Sequence, residues 1–162
     1  MSTNKRTIEF TLNGRTVSAD IQPHWNMVEM LQGAFGLTGA RESCGQGLCG
    51  CRTILIDNEA VTGCLQLAVL VNGKSVETVE SLEVDGKLSA EQQAFIETGG
   101  FQCGYCTPGM LLMAKKLLDE KPNPSDDDVR HYLSGNLCRC AAYPEIINAV
   151  KRAGELRAAR SN

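Results

Sequence analysis

The segment Gln102–Gly109, with the sequence QCGYCTPG, and the downstream triplet Cys138-Arg139-Cys140 decide how the C-terminal half of this chain can fold. They place four thiols as a C-x2-C pair and a C-x-C pair, with residues 107–137 between them. Each close pair can supply two thiolates to one metal centre, and the intervening length suits a helical hairpin that brings the pairs together. Four converging thiolates suit a [2Fe–2S] cluster or a structural zinc ion.

A second set of four thiols lies upstream, at Cys44, Cys49, Cys51 and Cys64. The chain begins without the apolar core of a signal peptide, so the cytoplasm is the expected compartment. Structural disulfides are rare there, and the close cysteine pairs also favour metal binding over a disulfide framework. Three glycines within residues 44–51 would let the loop wrap closely around a cluster and point amide N–H groups at its sulfurs.

The bulk composition fits a globular protein and excludes some classes of partner. The chain has 162 residues, of which 43% are hydrophobic, and a formal net charge of -3. This charge gives no reason to expect nucleic acid or an anionic membrane, and no apolar run is long enough to insert directly into a bilayer. Two small domains are compatible with the length, and domains of about 75 residues often need a metal or a partner for stability.

The first part of the chain has the pattern of a hairpin followed by a short helix. Alternating apolar residues flank Asn13-Gly14, a two-residue turn signal that predicts a hairpin over residues 6–21. Asn26, with Glu29 three residues later, predicts the capping box of a short helix. A hairpin, a helix and then a cysteine-rich loop is the order expected of a β-grasp ferredoxin.

The remaining strands are predicted after the cysteine-rich loop. Residues 53–57 have the pattern of a strand, and the apolar run 65–71 predicts a buried strand. Asn72-Gly73 predicts a further hairpin turn, and residues 76–82 predict the last strand with a crossing segment. These elements complete a small sheet.

From residue 89 onwards the apolar spacing becomes helical. Capping-box motifs that begin at Ser89 and Ser125 predict two helices, the second stopped by Gly135. Thr107 is expected to cap a third helix, and Pro144 to open the last one. The C-terminal half is therefore predicted to be a small bundle of four helices that holds two pairs of thiols.

The chain is thus predicted to be an α+β protein of two domains. Residues 1–82 form a β-grasp, plant-ferredoxin-like [2Fe–2S] domain, residues 83–88 are the linker, and residues 89–162 form a four-helix [2Fe–2S]-binding bundle. No phosphate-binding loop, nucleotide fingerprint or catalytic triad is visible, so the chain offers no general acid, base or nucleophile of its own.

The C-terminal motif resembles that of a known family. QCGYCTPG at residues 102–109, SGNLCRC at residues 134–140 and Tyr143-Pro144 are similar to the small iron–sulfur subunit of molybdenum hydroxylases. This is the xanthine oxidase family, which includes aerobic carbon monoxide dehydrogenase. The resemblance covers nearly the whole chain and implies the electron-transfer subunit of a molybdenum-dependent oxidoreductase.

The resemblance implies two [2Fe–2S] clusters and two partner subunits. The implied C-terminal ligands are Cys103, Cys106, Cys138 and Cys140. This cluster would lie near the molybdenum pterin dinucleotide of a large subunit, with Gln102 and Cys140 also approaching the pterin.

The N-terminal cluster would lie nearer the electron exit, which is an FAD-binding medium subunit in most of the family and a cytochrome in some relatives. Its predicted ligands are Cys44, Cys49, Cys51 and Cys64.

The N-terminal motif departs from the family pattern at one position. The family spacing is C-x4-C-x2-C, whereas here the third cysteine is Cys51 and Arg52 stands at the family position. Successive residues of an extended stretch point in opposite directions, so Cys51 needs a reshaped loop to serve as the ligand. The alternatives are a non-thiolate fourth ligand, or a cluster that is weak or absent. A guanidinium beside the cluster should raise its reduction potential.

Two other functions are compatible with parts of the sequence. A free-standing ferredoxin-like carrier would need only the N-terminal half, so the helical half argues against it. A zinc-stabilised binding module could use the four thiols of the helical half on spacing alone. Copurification of larger subunits would argue against a free-standing carrier. A brown protein would argue against the zinc module, because a zinc protein is colourless.

Overall fold

The computed structural model describes residues 4–160. The outer ends of the two predicted domains, residues 1–3 and 161–162, lie outside the described residues. The N-terminal half contains five strands and one α-helix. They are β1 (Arg6–Leu12), β2 (Arg15–Ile21), α1 (Met27–Phe35), β3 (Thr53–Ile56), β4 (Glu59–Thr62) and β5 (Ser75–Glu77). Four helices follow in the C-terminal half: α2 (Ala90–Thr98), α3 (Thr107–Glu120), α4 (Asp126–Tyr132) and α5 (Tyr143–Arg160). The predicted α+β class is confirmed, and the domain bounds 1–82, 83–88 and 89–162 stay a prediction.

The five strands form one mixed sheet in the order β2-β1-β5-β3-β4. β1 and β2 are an antiparallel hairpin whose turn residues, Asn13 and Gly14, have φ values of 49° and 78°. β5 pairs parallel to β1 and antiparallel to β3. The α1 capping box is also confirmed, because Asn26 Oδ1 accepts a hydrogen bond from Glu29 N at 3.0 Å and Asn26 N donates to Glu29 Oε2 at 2.7 Å.

The predicted buried strand at residues 65–71 is wrong, because this segment ends in a 3-10 helix over Ala68–Val71. Ala68 and Val71 are fully buried, whereas Leu70 between them is 58% exposed. A 3-10 turn places residues i and i+3 on the same face, which explains this burial pattern. The turn at residues 72–73 therefore leads from a helical turn into β5 and does not join two strands of a hairpin.

The helical half confirms both predicted capping boxes and corrects two helix ends. Ser89 and Ser125 each accept a hydrogen bond from the backbone three residues later. Thr107 is already inside α3, because Cys106 before it has helical φ and ψ values; its hydroxyl is buried and without a partner among the described residues. α4 ends at Tyr132, so the predicted stop at Gly135 comes too late.

The alternation of side chains along β3 connects two apolar cores. Ile54 and Ile56 belong to the core between the sheet and α1. Leu55 and Cys51 belong to the core of the helical half, together with residues of α2, α3 and α5. Odd-numbered residues of this stretch therefore face the helices and even-numbered residues face the ferredoxin-like core. Within residues 4–160, no helix is long and apolar enough to cross a membrane.

Candidate metal centres

The four thiols of the helical half meet in two pairs. Cys103 and Cys106 lie on the loop that enters α3, and Cys138 and Cys140 lie on the loop between α4 and α5. Hydrogen bonds join Cys103 to Cys140 and Cys106 to Cys138. Each pair takes one thiol from each loop, so the structure brings these four predicted ligands together.

The two C-terminal pairs have different electrostatic environments. Burial, and then the hydrogen bond with Cys138, raises the pKa of Cys106 to about 12. The backbone amide of Tyr105, and then the hydrogen bond with Cys140, lowers the pKa of the exposed Cys103. Bound iron would supply the positive charge that makes thiolates of such groups, including the buried one.

A cavity of about 550 Å³ lies between the two loops and the N-terminal half. Its thiol-bearing lining residues are Cys49, Cys51, Cys103, Cys106 and Cys138. This volume lies within the usual range of small-ligand pockets, roughly 300–1,000 Å³. The cavity size and the thiol-rich lining fit a [2Fe–2S] cluster held by the paired cysteines of the helical half.

The N-terminal loop, residues 42–51, points amide N–H groups at sulfur as predicted. Gln46 N donates to Cys44 Sγ at 3.4 Å. Burial would raise the pKa of Cys49, but hydrogen bonds from the amides of Cys44 and Cys51 and from the thiol of Cys44 lower it to about 6. Cys44 and Cys49 are therefore neighbours, and their setting favours the thiolate form of Cys49.

Arg52 lies among the N-terminal thiols. It is 2% exposed, and its guanidinium group hydrogen-bonds to Cys64 and lies near Cys44. Its Nε donates to Arg41 O at 3.2 Å, and its Nη2 lies 3.3 Å from Glu42 Oε1. Burial acts to lower the pKa of Arg52, but these neighbours raise it overall, so the guanidinium stays charged.

Cys51 points the other way, towards the helical half. Its side chain is 5% exposed, lines the cavity with Cys106, and donates to Cys49 O at 3.8 Å. Burial, and then the neighbouring Cys49 thiol, raises the pKa of Cys51 to about 11. The structure thus places Arg52, and not Cys51, against Cys64.

A junction at Gly50 fixes the loop to the helical half. Gly50 O accepts hydrogen bonds from Thr53 Oγ1 at 2.8 Å and from Asn136 Nδ2 at 2.9 Å. Leu137 N donates to Cys49 O at 2.9 Å. A Cβ on Gly109 would lie 2.3 Å from Gly50 O, so only glycine permits this close approach of α3. No signal in the amino-acid sequence relates Asn136 or Gly109 to Gly50, so this junction could not be predicted.

The thiol loops of the two halves also contact each other directly. Arg41 Nη1 donates to Gly104 O at 3.0 Å, and its guanidinium lies 5.8 Å from the centre of the Tyr105 ring. The Tyr105 hydroxyl donates to Glu42 O. Gln102 is exposed beside this contact. Within residues 4–160, no three His, Cys, Asp or Glu side chains are close enough together to hold a single metal ion.

Comparisons with known proteins agree in sequence and in fold. Residues 78–151 match the family described as [2Fe-2S] binding domain. The nicotinate dehydrogenase small FeS subunit of Eubacterium barkeri is 44% identical over 152 residues, which cover 94% of this chain and 97% of that subunit. Quinoline 2-oxidoreductase from Pseudomonas putida 86 contains a chain that is 43% identical, with a TM-score of 0.92 and 98% of both chains covered.

A third relative carries the same fold inside a longer chain. The aldehyde oxidoreductase from Desulfovibrio desulfuricans ATCC 27774 is 34% identical, with a TM-score of 0.91. The match covers 95% of this chain and 17% of that one.

Proposed function

The chain belongs to the family of iron–sulfur small subunits of molybdenum hydroxylases, and from this premise we propose a route for electrons through it. Electrons enter at the C-terminal thiol pairs from the molybdenum pterin dinucleotide of a large subunit. They leave from the N-terminal thiol loop to the FAD of a medium subunit or to a cytochrome. The observation that carries this proposal is the pairing of Cys103 with Cys140 and of Cys106 with Cys138 beside one cavity.

The C-terminal cluster is held by the four thiolates of those pairs, Cys103, Cys106, Cys138 and Cys140. A bound [2Fe–2S] cluster accepts and releases one electron at a time. The protein contributes a fixed donor beside it, because the amide of Tyr105 faces the thiol of Cys103. The hydrogen bond from Cys138 N to Tyr143 Oη at 2.9 Å fixes the second thiol loop to α5. Burial of Cys106 and Cys138 keeps water away from the inner side of the centre.

The N-terminal cluster is held by Cys44, Cys49 and Cys64 and by one further group. The amides of the glycine-containing loop donate to the thiols of Cys44 and Cys49, which stabilises the added negative charge of a reduced cluster. The contacts between Arg41 and Gly104 and between Tyr105 and Glu42 hold the two thiol loops together. Two one-electron carriers on touching loops are what a relay requires.

The two ends of the relay face partner subunits. Gln102 and Cys140 lie on the loops of the C-terminal centre, and exposed Gln102 is available to the pterin of the large subunit. On the N-terminal side, Leu48, Leu65 and Leu70 are 68%, 65% and 58% exposed. Exposed leucines beside a redox loop suit a contact with the electron-accepting subunit. The complex as a whole is proposed to work in the cytoplasm.

The two alternative functions have less support. A free-standing carrier would not need the helical half, yet the relatives match over nearly the whole chain and are named as subunits of dehydrogenases. A zinc-stabilised module would not need a second thiol loop rich in amide–sulfur hydrogen bonds.

The proposed function is tested on the chain purified together with its copurifying subunits. We expect about four irons and about four sulfides per chain, as two [2Fe–2S] clusters require, and two EPR signals after reduction with dithionite. Cys138→Ser should remove one signal and about half of the iron. Leu137→Ala changes the exposed neighbouring side chain and should remove neither. A colourless zinc protein, or a chain that purifies alone with no larger subunit, would contradict the proposal.

A further inference from the structure

We propose that the N-terminal [2Fe–2S] cluster of this chain is bound by only three thiolates, those of Cys44, Cys49 and Cys64. The buried guanidinium of Arg52 lies where a fourth thiolate would be needed, and as a cation it donates hydrogen bonds and does not coordinate iron. This inference rests on the proposed function, because it assumes that the N-terminal half carries a cluster. It replaces the prediction that a reshaped loop turns Cys51 into the fourth ligand.

The turn before β3 directs the side chains of Cys51 and Arg52 towards different halves of the molecule. Ile54 and Ile56 lie in the core of the ferredoxin-like half, on the same side as Arg52. Leu55 lies in the helical core, on the same side as Cys51. Thr53 N donates to Gly50 O at 3.2 Å and closes a turn that contains Cys51 and Arg52, so bringing Cys51 to the place of Arg52 would require the turn to re-form with the chain shifted by one residue.

That shift is opposed by hydrogen bonds on both sides of the stretch. Asn136 Nδ2 and Thr53 Oγ1 hold Gly50 O at 2.9 Å and 2.8 Å. Gly63 N donates to Arg52 O at 2.9 Å, and Thr53 pairs with Thr62 in the sheet. A one-residue shift would break these bonds and would also move Ile54 and Ile56 out of their core. Loss of several buried hydrogen bonds and of apolar burial strongly disfavours the shifted register.

Arg52 already occupies the place beside Cys64 that Cys51 would need in order to become a ligand. Its guanidinium hydrogen-bonds to Cys64 and lies near Cys44, whose thiol contacts that of Cys49. Its Nη2 is buried and has no hydrogen-bond partner within residues 4–160, although Glu42 Oε1 lies 3.3 Å away. A buried donor that lacks an acceptor costs free energy, and an anionic cluster beside it would provide one.

The assignment is tested by three substitutions in the purified complex, read by iron content and by the EPR signals after reduction with dithionite. Cys51→Ala should leave the iron content and both signals as in the wild type. Arg52→Cys should change the g-values and the midpoint potential of the N-terminal signal, because a fourth thiolate replaces a cationic neighbour. Cys64→Ser is the ligand control and should remove or strongly alter that signal.

Two results overturn the assignment. One is loss of the N-terminal signal in Cys51→Ala, with Cys51→Ser made alongside to exclude a packing defect. The other is an Arg52→Cys protein whose N-terminal signal equals that of the wild type. The C-terminal signal reports separately on the proposed function: its absence from the wild type would contradict the relay itself. A wild type with the C-terminal signal alone would contradict the bound N-terminal cluster.

Discussion

The thiol groups of the two halves differ in which side chains they meet. In the helical half, both loops contribute two cysteines, and each thiol pairs with one from the other loop. In the ferredoxin-like half, Cys44 and Cys49 lie on one loop, Cys64 follows β4, and the buried guanidinium of Arg52 lies against Cys64, while Cys51 faces the helical half. The difference teaches that cysteine spacing alone does not decide which thiols meet, because neighbouring residues can face different halves of the molecule.

The largest effect expected from this comparison concerns two buried cysteines that line the same cavity. Cys106 and Cys51 are 9% and 5% exposed, so removing either thiol should disturb packing to a similar extent. Cys106→Ala should abolish the C-terminal EPR signal and about half of the iron, whereas Cys51→Ala should abolish neither. Equal losses of iron in the two variants would show that the comparison is wrong.

The junction between the halves gives the next largest effect. Gly109→Ala would place a Cβ 2.3 Å from Gly50 O and 3.0 Å from Asn136 Nδ2, so α3 must move away from the N-terminal loop. We expect a loss of about 3 kcal/mol in the free energy of unfolding, typical of overpacking.

Gly135→Ala is the matched control, because nothing lies within 4 Å of its Cβ position. The unfolding midpoints of the two variants in urea measure the difference. A Gly109→Ala protein as stable as Gly135→Ala would mean that the close approach to Gly50 is not present in solution.

A smaller effect is expected from Asn136→Ala, which removes the side-chain hydrogen bonds to Gly50 O and to Thr53 Oγ1. The loss should be about 1–2 kcal/mol, because Gly50 O keeps its bond from Thr53. Hydrogen exchange of the amides in residues 49–53 should also become faster. Ser134→Ala, at an exposed neighbouring position, serves as the control and should change neither quantity.

The smallest effect concerns the exposed partner of Arg52. Glu42→Gln removes an ion pair whose carboxylate side chain is 78% exposed, so its contribution to stability is below about 1 kcal/mol. Glu59→Gln removes a similarly exposed partner of Lys116, remote from the thiols. Only Glu42→Gln should alter the midpoint potential of the N-terminal signal, since it leaves the guanidinium uncompensated. Identical potentials in both variants would place Arg52 away from the cluster.

Much of this architecture follows from local signals in the sequence. The turn at Asn13-Gly14 and the capping boxes at Asn26, Ser89 and Ser125 depend on residues within three positions of each other, and all are present. The strand prediction for residues 65–71 is wrong because a short apolar run does not distinguish a strand from a helical turn. Tertiary packing decides which of its residues are buried.

The candidate sites show the same difference between features set by local spacing and features set by contacts between residues distant in sequence. Spacing predicted that the four thiols of the helical half come together, but the pairing across the two loops, Cys103 with Cys140 and Cys106 with Cys138, required the structure. The orientation of Cys51 depends on which face of β3 meets the helices, and on the contact of Gly50 with Asn136 and Gly109. Those residues are distant in sequence, so alternation could indicate that Cys51 and Arg52 diverge but not which one meets Cys64.

Mössbauer spectroscopy of the 57Fe-enriched complex tests the asymmetry between the two centres most directly. If both clusters are bound and the N-terminal one has three thiolates, about three quarters of the iron should have purely sulfur ligands. About one quarter should give a separate quadrupole doublet, from the iron that lacks a second thiolate, and Arg52→Cys should remove that doublet. Four irons that all have sulfur-only coordination in the wild type would contradict the account.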